Sequence, residues 1–333
     1  MNYDEILKSI KNRVFAPIYF LHGEEPFFID KICEAIDNTV LNEGEKDFNQ
    51  TIVYGKDVNV STIITMAKRF PMMSSHQVIL VREAQQLEPL ELLESYIDNP
   101  QKSTILVFCH KYKKLDGRKS FAKKLKKNHI VFESKKLFDN KVEPWISNHI
   151  RAQGFSISPT ATFLLAEYLG NDLSRITNEV QKLLIGAEKG KTITEDEIQE
   201  KIGISKDFNV FELQKSLGRK DVLKSNQIIN YFASDPKNHP IVMVIPILFS
   251  YFTNLGIINT LQDKSPRSIA STLGINPFFV NDLSSAARNY SYVKLVRIIG
   301  YLREYDAKAK GVNSTGSTSS EDLLKELVYK ILH

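Results

Sequence analysis

Residues 18–31 read IYFLHGEEPFFIDK: an apolar run, Ile18–Leu21, meets Gly23 and then the first turn of a helix. Strand, glycine and helix start are the parts of a phosphate-binding loop, because the first helical turn leaves backbone N–H groups free for an anion. A working loop has the pattern G-x-x-x-x-G-K-[ST]. Its second glycine lets the amides wrap the phosphates, its lysine balances their charge and its hydroxyl holds magnesium. With Gly23 as the first glycine, Phe28 stands at the second, Ile29 at the lysine and Asp30 at the hydroxyl. A side chain blocks the cradle, the cation is gone and an acid faces the anion. Lys31 is close by, but two helical positions turn it about 200° away from the direction of Ile29. Phosphate binding is not expected here.

The second half of such a site is an apolar strand ending in acids that hold magnesium. The segment ILVREAQQL, residues 79–87, fits except that Arg82 stands where the metal-holding aspartate belongs. Arginine has no lone pair to offer and repels a cation, and Glu83 alone is not a site. The following strand, TILVFCH, ends in Cys109 and His110, read here as structural. Three separated positions thus keep an ATPase frame while each loses its chemistry. No other phosphate-loop pattern, no paired carboxylates at helical or strand-end spacing, no metal-type His/Cys cluster and no G-x-S-x-G occur, so hydrolase and nuclease chemistry are not expected either.

These residues need a scaffold, and the first 140 residues supply strand signals at Ile18–Leu21, Thr51–Tyr54, Val78–Val81, Ser103–Phe108 and His129–Phe132, alternating with helical patterns. Near-continuous apolar runs such as Val78–Val81 and Thr104–Phe108 predict strands covered on both faces, hence a parallel sheet between helix layers. After about Asp139 the strand signals stop. Val142–Gly203 reads as short helices, with starts at Ser158-Pro159 and at Thr194, where Glu197 completes a capping box, and a break at Gly170-Asn171-Asp172. Past Phe208 the chain is expected to be all helix. One apolar face is read at Val293, Val296, Ile299 and Leu302, another at Leu323, Leu324, Leu327, Val328, Ile331 and Leu332. Between them the polar loop GVNSTGSTSS ends in a second capping box, Thr318 to Glu321. The expected plan is an α/β domain over 1–140, a helical lid over 141–206 and an all-helical collar over 207–333.

Length, at 333 residues, suits two or three domains, and 42% apolar with 25% charged residues is ordinary for a soluble globular chain. Cys33 and Cys109 lie in apolar surroundings without metal or disulfide-framework spacing, which suits a reducing cytoplasm. The N-terminus carries acids and no unbroken apolar core, so it does not read as a secretory signal. Ile241–Leu261 is uncharged over a membrane-span length, but Pro246, Ser250, Asn254, Asn259 and Thr260 favour a buried, proline-bent core helix. The net charge of +5 is unevenly spread: nine basic residues fall within Lys111–Lys127 against one acid, Asp116. Phe121 and Leu125 within it predict a short helix with one packed side. The run is a solvated face or a phosphate-facing patch, with Lys113, Lys114, Arg118, Lys119, Lys123 and Lys124 as the residues that would face DNA.

IYFLHGEEPFFIDK, KRFPMMSSHQVILVREAQQLE, VFCHKYKKLDGRKSFAKKLKK, LAEYLGNDLSRITNEVQKLLIGA and NVFELQKSLGRKD, in this order and spacing, resemble the delta subunits of bacterial DNA polymerase III clamp loaders over essentially the whole chain. The resemblance implies an AAA+-type module without ATPase activity or cofactor, then a helical lid and a collar that meets sibling subunits. It implies cytoplasmic partners: the sliding clamp (beta subunit), the delta prime and gamma/tau subunits, and primer–template DNA within the assembly. The chain would be a non-catalytic part of a nucleotidyltransferase complex that grips the clamp and lets its ring open.

In that family two adjacent apolar residues at a helix tip engage the clamp, and the matching segment here puts them at Met72 and Met73, with Phe70 beside them. Met-Met departs in identity from the family's frequent Leu-Phe pair but not in character. The residues agree on their own terms. Pro71 turns the preceding residue away from helix, and Ser74-Ser75-His76 form a polar turn, so three large apolar side chains bunch at an element end. Arg175 lies one or two residues late for a nucleotide sensor and reads as a surface or capping arginine. The alternatives are a stand-alone DNA-binding protein using Lys111–Lys127, or an active AAA+ ATPase with its phosphate loop elsewhere.

Overall fold

The structure, a computed structural model, describes residues 1–205, 207–312 and 319–333; Thr318 and most of the GVNSTGSTSS loop, with the capping box expected there, lie outside the described residues. The chain forms two compact units, Met1–Leu137 and Phe138–His333.

The first unit is built on strands β1 (Ile18–Gly23), β2 (Gln50–Tyr54), β3 (Gln77–Arg82), β4 (Thr104–Lys111) and β5 (Ile130–Ser134), hydrogen-bonded in the order β2-β3-β4-β1-β5. Every pairing is parallel, Ile18 lying opposite Leu106 and Val78 opposite Ile105. Its helices are α1 (Tyr3–Lys11), α2 (Pro26–Thr39), α3 (Glu43–Asn49), α4 (Val60–Ala67), α5 (Glu94–Ile97) and α6 (Ser120–Asn128). Side chains alternate across each strand. Tyr19, Leu21 and Val107 therefore enter one core with Ile6, Ile29 and Ile32 of α1 and α2, while Phe20, Val81 and Phe108 enter the other with Ile63, Tyr96 and Phe121 of α4, α5 and α6. This is the double-covered parallel sheet expected of an AAA+-type α/β domain. All five strands overlap the segments read from the sequence, their ends shifted by no more than three residues. Because every strand runs the same way, the sheet has two distinct edges. Gly23, Arg82 and Lys111 end strands at the carboxyl edge; Asn49 and the Phe70–His76 segment lead into strands at the amino edge.

The second unit comprises α7 (Asp139–Ala152), β6 (Ser156–Ile157), α8 (Pro159–Leu169), α9 (Leu173–Leu184), β7 (Thr192–Ile193), α10 (Glu195–Ile202), α11 (Val210–Gly218), α12 (Val222–Ser234), α13 (Ile241–Thr260), α14 (Pro266–Leu273), α15 (Val280–Arg288), α16 (Tyr292–Ala309) and α17 (Ser320–Leu332). Ser158 caps α8, Asp172 caps α9, and Thr194 with Glu197 forms the expected box on α10. The reading of this region as purely helical is corrected by the parallel pair β6–β7. Two-residue strands are too short to leave a period in the sequence.

Helices α11 to α17 share one core that includes Leu213, Ile228, Phe252, Ile298 and Leu327. Helix α13 is long and apolar enough to cross a membrane, yet Val244, Leu248, Phe252 and Leu255 are buried in this core and Pro246 lies within the helix. The expected face of α16 is also corrected: Leu295, Ile298, Leu302 and Tyr305 are buried, whereas Val293 and Val296 are exposed. Apolar residues surround much of this helix, so its period offers more than one face and packing against α13 selects. On α17 the buried set matches the expected stripe, Ser319 accepting from the Asp322 N–H as N-cap.

Within the second unit, burial of Glu167 on α8, reinforced by the neighbouring carboxylates of Glu143 and Asp139 on α7, pushes its pKa from 4.5 up to about 7. A carboxyl that binds its proton more tightly when folded stabilises the fold fully below its unfolded pKa, and this contribution is lost as pH rises through the folded value. Urea unfolding should therefore show wild type losing about 3 kcal/mol more than Glu167→Gln between pH 4.5 and pH 8. Parallel pH profiles of the two proteins would contradict this.

Candidate functional site: a closed phosphate cradle and an exposed apolar tip

At the carboxyl edge, the loop after β1 has the outline of a phosphate cradle with its donors already engaged. Gly23 takes φ +136°, and a Cβ there would lie 2.0 Å from the Ser134 carbonyl oxygen, so only glycine fits. That carbonyl accepts from the N–H groups of Glu24 at 2.9 Å and Glu25 at 3.4 Å. The Ser134 hydroxyl in turn donates to the Glu25 carbonyl at 2.6 Å. Pro26 brings no N–H, and the Phe27 N–H donates at 3.0 Å to Oε1 of Glu25, whose residue is only 3% exposed. A buried carboxylate thus sits at the start of α2, where the helix dipole favours negative charge. Phe28 packs edge-on against Tyr3 at 4.8 Å, and Ile29 is fully buried.

The metal half is likewise neutralised from within. Lys111 Nζ lies 2.7 Å from an Asp30 carboxylate oxygen and 3.8 Å from one of Glu83. Partial burial works against the Lys111 charge, but the hydrogen bond it donates to Asp30 and the fields of Asp30 and Glu83 outweigh it and raise its pKa. Arg82 lies opposite Tyr54 in the register of β2 and β3. Cys33 and Cys109, free and buried, lie in the same core, a proximity that the sequence did not suggest. His22 and His110 are buried and held neutral at pH 7, burial taking His22 down to about 4 and lowering His110 as well. His22 Nδ1 accepts from the Leu115 N–H at 3.2 Å, and His110 Nδ1 lies 3.2 Å from the Lys113 carbonyl. Among the described residues no group of three or more metal-type side chains is found.

At the amino edge, α4 ends at Ala67 and the chain turns through Pro71 toward β3. Phe70, Met72 and Met73 are 78%, 61% and 103% exposed. Met73 takes φ +52°, a left-handed conformation that costs a non-glycine residue about 1–2 kcal/mol and persists only where neighbours hold it. Asn49, at the end of α3 and only 4% exposed, is such a neighbour. Its Nδ2 donates to the Met72 carbonyl at 2.9 Å and its Oδ1 accepts from the Met72 N–H at 2.6 Å. Gln77 Nε2 donates to Thr104 Oγ1 at 2.7 Å and to the Arg69 carbonyl. Phe48, next to Asn49, is also exposed.

The basic run starts at the end of β4, and its last part, from Ser120, forms α6 with Phe121, Ala122 and Leu125 buried. Five of its nine cations are paired: Lys111 as above, Lys114 with Glu24, Arg118 with Asp116, Lys119 with Glu91, and Lys124 with Glu94 and Asp98. Lys113, Lys123, Lys126 and Lys127 make no ion pair among the described residues. In the second unit, Arg175 is exposed with its guanidinium 5.6 Å from the Tyr168 ring centre.

Sequence reasoning missed Asn49, Glu25, Ser134 and Gln77. An Asn42–Glu45 capping box could have located α3, and Glu25-Pro26 is a helix-start signal; nothing local announces the reach of Asn49 to Met72 or of Ser134 to the Gly23 loop.

A family model described as DNA polymerase III, delta subunit, matches residues 19–135, and one for that subunit's C-terminal domain matches residues 207–330. The chain is 27% identical to the DNA polymerase III subunit delta of Bacillus subtilis, with 98% of this chain and 96% of that one covered. It is 23% identical to the probable DNA polymerase III subunit delta of Aquifex aeolicus, over 91% and 87%. The solved structure of a Bacillus subtilis DNA clamp loader delta protein is similar at a TM-score of 0.52 and 25% identity, covering 99% of both chains.

The Glu25 carboxylate caps α2 in a buried setting. Glu25→Ala should lower the stability of the protein by about 1–2 kcal/mol in urea unfolding, and an unchanged midpoint would deny the carboxylate that role.

Proposed function

The chain belongs to the family of DNA polymerase III delta subunits, and on that premise we propose that it grips the sliding clamp with Phe70, Met72 and Met73 and favours the opened ring without hydrolysing ATP. The observation that carries this reading is the tip itself: three large apolar side chains stand exposed on a backbone that buried neighbours hold in place. Methionine is unbranched and polarizable and adapts to an apolar pocket. Burying both thioethers would contribute roughly 3–6 kcal/mol before ordering costs. A ligand shifts an equilibrium only by its differential affinity for the two states. A rigid tip that fits the relaxed curvature of an opened clamp better than the closed ring therefore favours opening with no chemistry of its own.

The absence of ATP turnover is supported by the Gly23 loop, whose amides are given to Ser134 and Glu25, and by Lys111, which occupies the place of a metal between Asp30 and Glu83. ATP would be handled by the gamma/tau siblings, with delta prime completing the assembly in the cytoplasm. The division of the second unit into a lid, 141–206, and a collar, 207–333, is supported by the C-terminal family model starting at residue 207 and by the separate core of α11–α17. Stand-alone DNA binding by the basic run loses support from its ion pairs. Contact with primer–template DNA inside the assembly would fall to Lys113, Lys123, the paired but exposed Lys114, Arg118 and Lys119, and the half-buried Lys124.

Replacing Met72 and Met73 together by alanine should weaken binding of the organism's own sliding clamp by tenfold or more, roughly 1.4 kcal/mol at the least, measured by surface plasmon resonance. Unchanged affinity would remove the tip from the interface. Calorimetric titration with ATP and magnesium should give no saturable heat at micromolar nucleotide; a saturating isotherm would overturn the non-catalytic reading.

A further inference from the structure

We infer that Asn49 is the positioning residue of the apolar tip, setting its conformation before the partner arrives; this rests on the reading of that tip as the clamp-gripping element. The Asn49 amide closes a ring with the Met72 peptide units, donating to the carbonyl at 2.9 Å and accepting from the N–H at 2.6 Å. Its second Nδ2 proton goes to the Glu45 carbonyl at 3.1 Å. Both donors face carbonyls and the oxygen faces an N–H, so turning the amide over would set oxygen against two carbonyls. The orientation is therefore fixed, and with it the path of the chain at Met72.

The tip cannot hold that path by packing. Met73 is fully exposed and takes a left-handed φ of +52°, and Phe70 is 78% exposed. What holds the segment is polar: Asn49, from α3, grips Met72, and Gln77 holds the Arg69 carbonyl. Without the Asn49 ring the segment would populate many conformations, and apparent affinity falls in proportion to the fraction that is binding-competent. Asn49 touches the partner through Met72, so its effect should vanish when the tip is already gone.

The test is clamp binding by Asn49→Ala, in the otherwise unaltered chain and in the chain carrying Met72→Ala and Met73→Ala, with hydrogen exchange of the Met72 amide read in parallel. The expected result is an affinity loss of about tenfold in the unaltered chain, less than twofold in the tipless background, and Met72 exchange at least tenfold faster. Should Asn49→Ala fold poorly, Asn49→Asp keeps the acceptor and size but sets a carboxylate against two carbonyls, and the same affinity pattern is expected. Equal losses in both backgrounds, or full affinity despite faster exchange, overturn the inference while leaving the tip in place. Full affinity of the tipless chain overturns the tip reading and this inference with it.

Discussion

A parallel sheet must be covered on both faces and leaves only its two edges for function. In the first unit this constraint sorts everything else. The alternation of Ile18 and Phe20 with Tyr19 and Leu21 commits one set of side chains to α4–α6 and the other to α1 and α2. The strand ends then collect at a carboxyl edge, where α/β folds place ligands, and an amino edge that carries the apolar tip.

The two edges are built in opposite ways. At the carboxyl edge the N–H groups of Glu24, Glu25 and Phe27 are taken by Ser134 and Glu25, and the carboxylates of Asp30 and Glu83 face Lys111. At the amino edge the Met72 peptide groups are held by Asn49 while the side chains of Phe70, Met72 and Met73 are left in water. A held backbone under exposed apolar side chains is the arrangement that the proposed clamp-gripping role requires, because less ordering cost is then left to be met on binding.

The basic run shows why counting charges along a chain misleads. Nine cations in a row of residues suggest a phosphate-facing patch, but folding brings Glu24, Glu91, Glu94 and Asp98 from other segments beside them. Exposed pairs of this kind add little stability, yet they lower the local potential that would attract a polyanion.

By itself the sequence determined the five strands of the sheet, the helix starts at Ser158 and Thr194, the break at Gly170-Asn171-Asp172, the stripe on α17, the departures from a phosphate-loop pattern and the family. These follow from local rules: period, capping and residue type at fixed spacing. It could not choose among the apolar faces of α16 or reveal the two-residue strands β6 and β7, where local patterns are ambiguous or absent. Nor could it join Asn49 to Met72 or Ser134 to the Gly23 loop, or place Cys33 and Cys109 in one core, because those arrangements form only when distant segments are laid side by side by the sheet. Residue type fixed what each position is able to do; tertiary structure decided which groups meet, and so which surface stays open.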